Sequence, residues 1–191
     1  PGTASAEKLR NFYTAGINRL SIGMQSAQAE ELKNLGRIHD FEGFCQVYRE
    51  AVEAGFTNIN VDIMSGLPGQ TLASYRDTLE KVLHLEPMPQ HISAYSLIIE
   101  KGTPFYERFG EPQRKLDCGA QMAGTLPTPK TAAEVAARAA VMTLPDLPAE
   151  DTDREMYHLT KEMMSAHGYE RYEISNYAKK GYECRHNIGY W

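Results

Sequence analysis

Polar side chains stand near the ends of two apolar segments that the sequence predicts to be strands. Gln25 follows the segment Ile17–Met24, and Asp62 lies near the end of the segment Asn58–Met64. In parallel α/β proteins the carboxyl ends of the strands carry the site, so both residues are candidates for binding a ligand. A carboxylate in an apolar strand is costly to bury unpaired, which predicts that Asp62 has a partner. Local sequence leaves two roles open for Asp62, a ligand contact and a structural acid bonded to a loop.

Two further candidates lie in turns. Arg37 follows the helix-ending Gly36, and its guanidinium is suited either to clamp a carboxylate in a bidentate way or to pair with a surface acid. The turn 66–69 (Gly-Leu-Pro-Gly) follows a strand and precedes a helix, where backbone amides can hold an anion. It lacks the Lys and spacing of a nucleotide P-loop, so a plain turn is the favoured interpretation.

The end of the chain carries a thiol and an imidazole two residues apart, in Cys184 and His186. A zinc site needs a second pair of ligands, and the sequence contains no Cys-x-x-Cys. His186 remains either a cofactor ligand or a packed or solvated histidine. The three cysteines, Cys45, Cys118 and Cys184, are odd in number and widely spaced, which argues against a secreted disulfide framework and favours a reducing cytoplasmic compartment.

Composition excludes several classes of function. The chain has 191 residues, of which 42% are hydrophobic and 24% are charged, as in ordinary globular proteins. The net charge of −5 and the lack of a basic block argue against a nucleic-acid partner. No apolar run is long enough to predict a membrane span. The length predicts one core with an appendage.

Hydrophobic periodicity predicts alternating helices and strands over the first hundred residues. This alternation is the βαβ pattern, which implies parallel strands that are apolar on both faces. The pattern does not distinguish an open sheet from an α/β barrel. The predicted helices cover 4–15, 28–35, 42–54 and 71–86, and the predicted strands are Ile17–Met24, Asn58–Met64 and His91–Glu100.

The pattern changes in the second half of the chain. Residues 110–149 are rich in proline and predict an insertion or linker with one short helix. A capping box of Thr152 and Glu155 predicts the start of the next helix, with an apolar stripe of Met156, Leu159 and Met163. Residues 169–178 read as an extended segment. The chain is therefore divided into 1–109, 110–149 and 150–191.

Several long motifs occur in an order that resembles the coproporphyrinogen-dehydrogenase-like branch of the radical SAM proteins. The last motif contains a H-N-x-x-Y-W box, and it resembles the heme-chaperone members of that branch rather than the oxidase. The resemblance implies a partial TIM-like barrel of parallel strands with the start of a C-terminal region, and it indicates that the chain is a fragment. The motifs are PGT (1–3), GINRLSIGMQS (16–26), LGRIH (35–39), NVDIMSGLPGQT (60–71), HISAYSLIIE (91–100) and YEISNYAKKGYECRHNIGYW (172–191).

The resemblance also implies site residues. Gln25, Arg37 and Asp62 fall on positions that contact S-adenosyl-L-methionine (SAM), and Ile98 falls beside the adenosine. His186 falls in the box associated with heme, with Tyr190 and Trp191 as flat apolar surface nearby in sequence. No residue is assigned a catalytic role. The C-x-x-x-C-x-x-C motif that binds the 4Fe-4S cluster is absent from this chain, so the resemblance places the cluster in the intact protein.

For the intact protein, the resemblance implies a heme chaperone that binds SAM and heme and delivers heme to an acceptor protein. The alternative is an oxygen-independent coproporphyrinogen III oxidase, which decarboxylates two propionates in porphyrin synthesis. A third possibility is a fragment that binds nothing. The resemblance leaves open whether SAM is cleaved or held as a structural ligand of the cluster.

Overall fold

The computed structural model of the chain describes residues 1–110 and 131–189. Cys118, Tyr190 and Trp191 lie outside the described residues. The described helices are α1 (Ala6–Thr14), α2 (Ala29–Asn34), α3 (Phe41–Glu53), α4 (Leu72–Leu83), α5 (Pro104–Phe109), α6 (Ala132–Met142), α7 (Glu150–Ala166) and α8 (Arg185–Ile188). The described strands are β1 (Leu20–Gln25), β2 (Ile59–Ser65), β3 (His91–Ser96), β4 (Glu170–Arg171) and β5 (Asn176–Ala178).

These strands form one five-stranded sheet in the order β1-β2-β3-β5-β4. The first three strands are parallel, with α2 and α3 between β1 and β2, and α4 between β2 and β3. This arrangement confirms the predicted α/β class with parallel strands. β5 runs antiparallel to β3 and β4 runs antiparallel to β5, so the segment predicted as extended over 169–178 closes the sheet as a short antiparallel pair.

The two faces of the sheet differ in polarity. One face buries Ile22, Val61, Ile63 and Ile92 in the core formed with the helices. Since side chains alternate along a strand, the intervening residues project from the other face. The expectation that the strands are apolar on both faces is therefore wrong, because the polar side chains satisfy one another with hydrogen bonds. The polar face carries Ser21, Asn60, Asp62, His91 and Ser93.

Two predicted strand boundaries are corrected by the pairing. β1 begins at Leu20 rather than Ile17, because Leu20 pairs with Ile59, the first residue of β2. β3 ends at Ser96 rather than Glu100, because Ser96 pairs with Ser65, the last residue of β2. A strand persists only where a neighbour accepts and donates its backbone hydrogen bonds.

The start of α7 also differs from the prediction. The helix begins at Glu150 after Ala149, which makes no side-chain cap, so the predicted capping box at Thr152 is wrong. Acidic residues in the first turn favour this start through the helix dipole. The buried stripe contains Met156 and Leu159 as predicted, but Met164 is fully buried where Met163 is only partly buried.

Helices α3, α4 and α7 contribute large side chains to the core, among them Phe44, Tyr48, Tyr75 and Met156. The Tyr75 hydroxyl lies 2.8 Å from Thr160 Oγ1, which joins α4 to α7. No helix in the described part of the chain is long and apolar enough to cross a membrane.

We expect the fold to lose stability in alkaline solution. Burial raises the pKa of Tyr48, Tyr75 and Tyr169 well above the usual value for a phenol. The folded state therefore favours the neutral phenols, and their contribution is complete below the unfolded pKa of about 10 and is lost as the pH rises towards the higher folded pKa. Urea unfolding at a series of pH values should show a free energy of unfolding that is level between about pH 7 and pH 9 and falls above about pH 10. Ionisation of all tyrosines at their usual pKa without unfolding would contradict this expectation.

Candidate functional site

Gln25 ends β1 in a backbone conformation that side chains rarely adopt, with φ of +69°. Its side chain is buried, and its Oε1 accepts a hydrogen bond of 3.1 Å from the Tyr95 hydroxyl. The side-chain amide lies over Gly23, where an added Cβ would stand 2.6 Å from Gln25 Nε2. A strained residue persists only where its surroundings determine it, and such residues concentrate at functional sites.

A buried carboxylate, Glu31, holds the loop that follows Gln25. Glu31 is 5% exposed, and its Oε2 accepts hydrogen bonds from Ser26 Oγ at 2.6 Å and Gln70 Nε2 at 3.0 Å. Its Oε1 accepts a bond of 2.6 Å from Ser74 Oγ. Glu31 therefore ties the loop after β1 to the loop after β2. The sequence analysis missed this residue, because an acid in a short, mostly exposed helix gives no signal of burial.

Asp62 has the partners that the sequence predicted for it. Its Oδ1 accepts a hydrogen bond of 2.8 Å from Asn60 Nδ2, and its Oδ2 accepts one of 2.9 Å from Ser21 Oγ. Because a carboxylate has about four acceptor positions, each oxygen retains capacity for a further donor. Asp62 is thus both a structural acid within the sheet and a partly exposed group that can bind a ligand.

Tyr95 is the common neighbour of three predicted site residues. Burial is the main cause that raises the pKa of Tyr95, and the negative charge of Asp62 raises it further. The hydrogen bond to Gln25 and the guanidinium of Arg37 act in the opposite direction. Gln25 contacts the Tyr95 hydroxyl directly, whereas the charges of Asp62 and Arg37 act on it without a direct contact. Sequence reasoning missed Tyr95, which is one of several aromatic residues in an apolar strand.

Arg37 is exposed and forms no ion pair with another residue in the two described ranges. Its backbone N–H donates to the Leu32 carbonyl after Gly36, whose φ of +66° turns the chain out of α2. The alternative role for Arg37, a surface ion pair, is thus not seen within those ranges. The guanidinium is available to a ligand beside Tyr95.

Two backbone amides of the turn 66–69 already donate hydrogen bonds within the protein. The Gly69 N–H donates to the Asp146 carbonyl at 2.9 Å, and the Leu67 N–H donates to Gln70 Oε1 at 3.3 Å. These amides are occupied, which agrees with the interpretation as a plain turn. A polar cluster adjoins the turn, in which Ser65 Oγ lies 2.9 Å from Ser96 Oγ and 3.3 Å from Asp153 Oδ1.

His186 does not share the surroundings of Tyr95. Ile98 follows β3 and is 79% exposed. His186 is exposed on α8, which lies at the opposite, amino end of the parallel strands. This placement follows from the neighbouring chain. Tyr172 bonds to both the Cys184 N–H and His91, the first residue of β3, and the guanidinium of Arg19, just before β1, lowers the pKa of Cys184.

Cys184 has an unusual environment for a thiol. Burial raises its pKa, but the backbone N–H groups of Asn187 and His186 have the opposite effect. The Arg19 guanidinium adds to that effect, so the pKa of Cys184 lies below its usual value. Within residues 1–110 and 131–189, no group of three or more His, Cys, Asp or Glu side chains is placed to hold a metal ion.

The first part of the chain is similar to a known protein family. Residues 1–82 match the family model described as the Radical SAM superfamily. This segment contains β1, β2 and the predicted site residues Gln25, Arg37 and Asp62.

Curated relatives align over all 191 residues, including 110–145, for which the sequence motifs gave no counterpart. The heme chaperone HemW of Bacillus subtilis (strain 168) is 36% identical, and the chain covers 42% of its length. The heme chaperone HemW of Escherichia coli (strain K12) is 34% identical, with 41% of its length covered. A third relative, radical S-adenosyl methionine domain-containing protein 1, mitochondrial, of Danio rerio, is 30% identical, with 36% covered. The chain thus spans about two fifths of the length of these relatives.

A solved structure has a similar fold. It is the coproporphyrinogen III oxidase HemN from Escherichia coli, described as a radical SAM enzyme, and it matches with a TM-score of 0.67. The match covers 94% of this chain and 33% of that one, at 23% sequence identity. At this identity the likeness concerns the fold, and it agrees with the partial barrel that the sequence predicts.

Proposed function

We propose that the chain is part of a Radical SAM protein and that it supplies the SAM-binding strands and the heme-binding segment of a heme chaperone of the HemW type. The observation that carries this proposal is the alignment of all 191 residues with relatives named heme chaperone at 36% and 34% identity. Those relatives are longer than this chain, so the activity of the whole protein is part of the proposal.

The donor set around Tyr95 fits SAM. The ligand has an ammonium group, a carboxylate and two ribose hydroxyls. The Arg37 guanidinium matches the carboxylate, and the free acceptor positions of Asp62 match the ammonium or the hydroxyls. The Gln25 amide supplies both a donor and an acceptor. We propose Ile98, an exposed apolar side chain beyond β3, as a contact to the adenosine.

The cysteines of this chain do not fit a 4Fe-4S cluster. Radical SAM proteins hold the cluster with a C-x-x-x-C-x-x-C motif, whereas this chain has cysteines only at 45, 118 and 184. Cluster assembly requires several closely placed thiolates. The proposed role of this chain is therefore to bind SAM and heme, and it includes no step through the cluster.

The segment with His186 fits a heme ligand. His186 is exposed on a single helical turn, and a neutral imidazole is a common axial ligand of heme iron. Arg185 beside it is also exposed and is suited to a heme propionate. We propose a heme-acceptor protein as the partner and a cytoplasmic location.

The oxidase alternative has less support. It rests on the fold likeness to HemN at 23% identity, whereas the chaperone names come with higher identity over the full chain. We therefore propose heme handling rather than porphyrinogen decarboxylation.

Removal of the Arg37 guanidinium should weaken SAM binding. We expect Arg37→Ala to raise the Kd at least about tenfold, since one charge-assisted bidentate contact contributes roughly 1.5–3 kcal/mol. Isothermal titration of the 191-residue chain with SAM measures this change. Arg49→Ala removes an equally exposed arginine on the outer side of α3 and should leave the Kd unchanged. Absence of SAM binding by the wild-type chain, or equal affinity in both variants, would refute the proposed SAM site.

A further inference from the structure

Tyr172 connects the segment around His186 to the sheet. Its hydroxyl oxygen accepts hydrogen bonds of 3.2 Å from the Cys184 N–H and of 3.2 Å from Asn187 Nδ2. The same hydroxyl lies 2.7 Å from Nε2 of His91, and the two rings meet edge to face. Tyr172 therefore bonds to the residues on both sides of His186 and to the first residue of β3.

His91 is completely buried on the polar face of the sheet, and its proton position follows from its neighbours. Asn60 Nδ2 must face Asp62, because a carboxylate accepts and does not donate. Asn60 Oδ1 therefore faces His91, and Nδ1 of His91, at 2.6 Å, must carry the proton. Nε2 is then the acceptor, so the Tyr172 hydroxyl donates to it.

The charge state of His91 agrees with this assignment. Burial is the main cause that lowers the pKa of His91 to about 4, and the positive charge of Arg19 lowers it further. Glu173 and Glu183 act in the opposite direction but do not outweigh burial. The imidazole is therefore neutral near pH 7, with one donor and one acceptor nitrogen.

The result is a directed series of hydrogen bonds from one end of the polar face to the other. It starts at the Asp62 carboxylate and runs through Asn60, His91 and Tyr172 to the Cys184–Asn187 segment. Each group in this series has one arrangement of donor and acceptor atoms that satisfies its neighbours. Loss of one member leaves buried donors or acceptors unpaired, at a cost that makes such networks specify a single arrangement.

We propose that His91 and Tyr172 are positioning residues that hold the Cys184–Asn187 segment at a fixed position relative to Asp62 and so place His186 for its ligand. This inference rests on the proposed role of His186 in binding heme. It assigns to the amino end of the strands a function separate from the SAM contacts at the carboxyl end.

Two spectroscopic measurements test the hydrogen-bond series itself. Nitrogen-15 NMR of the imidazoles should show His91 protonated at Nδ1. Hydrogen exchange should show the Cys184 amide exchanging at least about tenfold faster in Tyr172→Phe, since its acceptor is lost. Tyr182→Phe is the matched control, because Tyr182 lies two residues before this segment, is exposed and should leave that exchange unchanged. A proton on Nε2 of His91, or an unchanged Cys184 exchange rate in Tyr172→Phe, would overturn the proposal.

A hemin titration tests the positioning role. We expect Tyr172→Phe to weaken hemin binding about fivefold and Tyr182→Phe to leave it unchanged, with both variants matching the wild-type circular dichroism. Equal hemin affinity in Tyr172→Phe and wild type would refute the positioning role. If the wild type binds no hemin, the proposed heme function fails and the positioning of a heme ligand fails with it, while the NMR and exchange data still decide whether the hydrogen-bond series exists.

Discussion

We expect replacement of His186 by Ala to lower the affinity of the chain for hemin at least about tenfold, because an axial ligand would be lost. We expect Arg37→Ala to leave that affinity within about twofold of wild type, because Arg37 lies on the side of β1 and α2 that is remote from the α8 segment, which Tyr172 ties to the start of β3. The measurement is a titration with hemin followed by the shift of the Soret band.

His167→Ala provides the control for this experiment. His167 is also an exposed imidazole, but it lies at the end of α7, outside the His186 segment. We expect it to leave hemin affinity unchanged. Equal affinity in wild type and His186→Ala would mean that the H-N-x-x-Y-W box is a packing motif, which is the alternative to a heme ligand.

Replacement of Glu31 by Ala should destabilise the fold strongly. It removes the acceptor of Ser26, Gln70 and Ser74 at once. A buried donor left without its acceptor costs about 1–3 kcal/mol, and three hydrogen bonds are lost at once. Urea unfolding should therefore show a lower midpoint at an unchanged slope.

Glu30 offers a matched control one residue away on the same helix. Its side chain is 79% exposed and pairs only with the exposed Lys33 at 3.4 Å, within the described part of the chain. Glu30→Ala should change the free energy of unfolding by less than about 0.5 kcal/mol. Equal destabilisation by Glu30→Ala and Glu31→Ala would show that the buried network does not stabilise the loop after Gln25.

Local pattern was sufficient for most of the helices and for the three parallel strands. The apolar periodicity of α3 and α4 reports which face is buried, and glycines or proline mark their ends. The errors lie where a partner distant in sequence decides the outcome. β1 and β3 are shorter than predicted because β2 spans only Ile59–Ser65, and the number of residues that can pair depends on both strands.

The same distinction between local pattern and distant contacts applies to the site residues. Strand-end position and side-chain chemistry identified Gln25 and Asp62 and offered Arg37 and His186 as candidates. Resemblance to a family added Ile98 and a role for each of these residues. None of these signals reported the positive φ of Gln25, the burial of Glu31 or the surroundings of Tyr95. These properties arise from contacts between residues 40 to 70 positions apart, such as Gln25 with Tyr95 and Ser74 with Glu31.

The sequence by itself determined the alternating order of helices and strands, the α/β class and the residues with suitable chemistry, because these depend on side chains that are neighbours along the chain. The tertiary structure alone decided that one face of the sheet is polar and that His186 lies at the opposite end of the strands from Arg37. It also decided the direction of the bonds from Asp62 through His91 to Tyr172. The physical reason is that hydrogen-bond direction and burial are fixed by strand register, which only the folded chain defines.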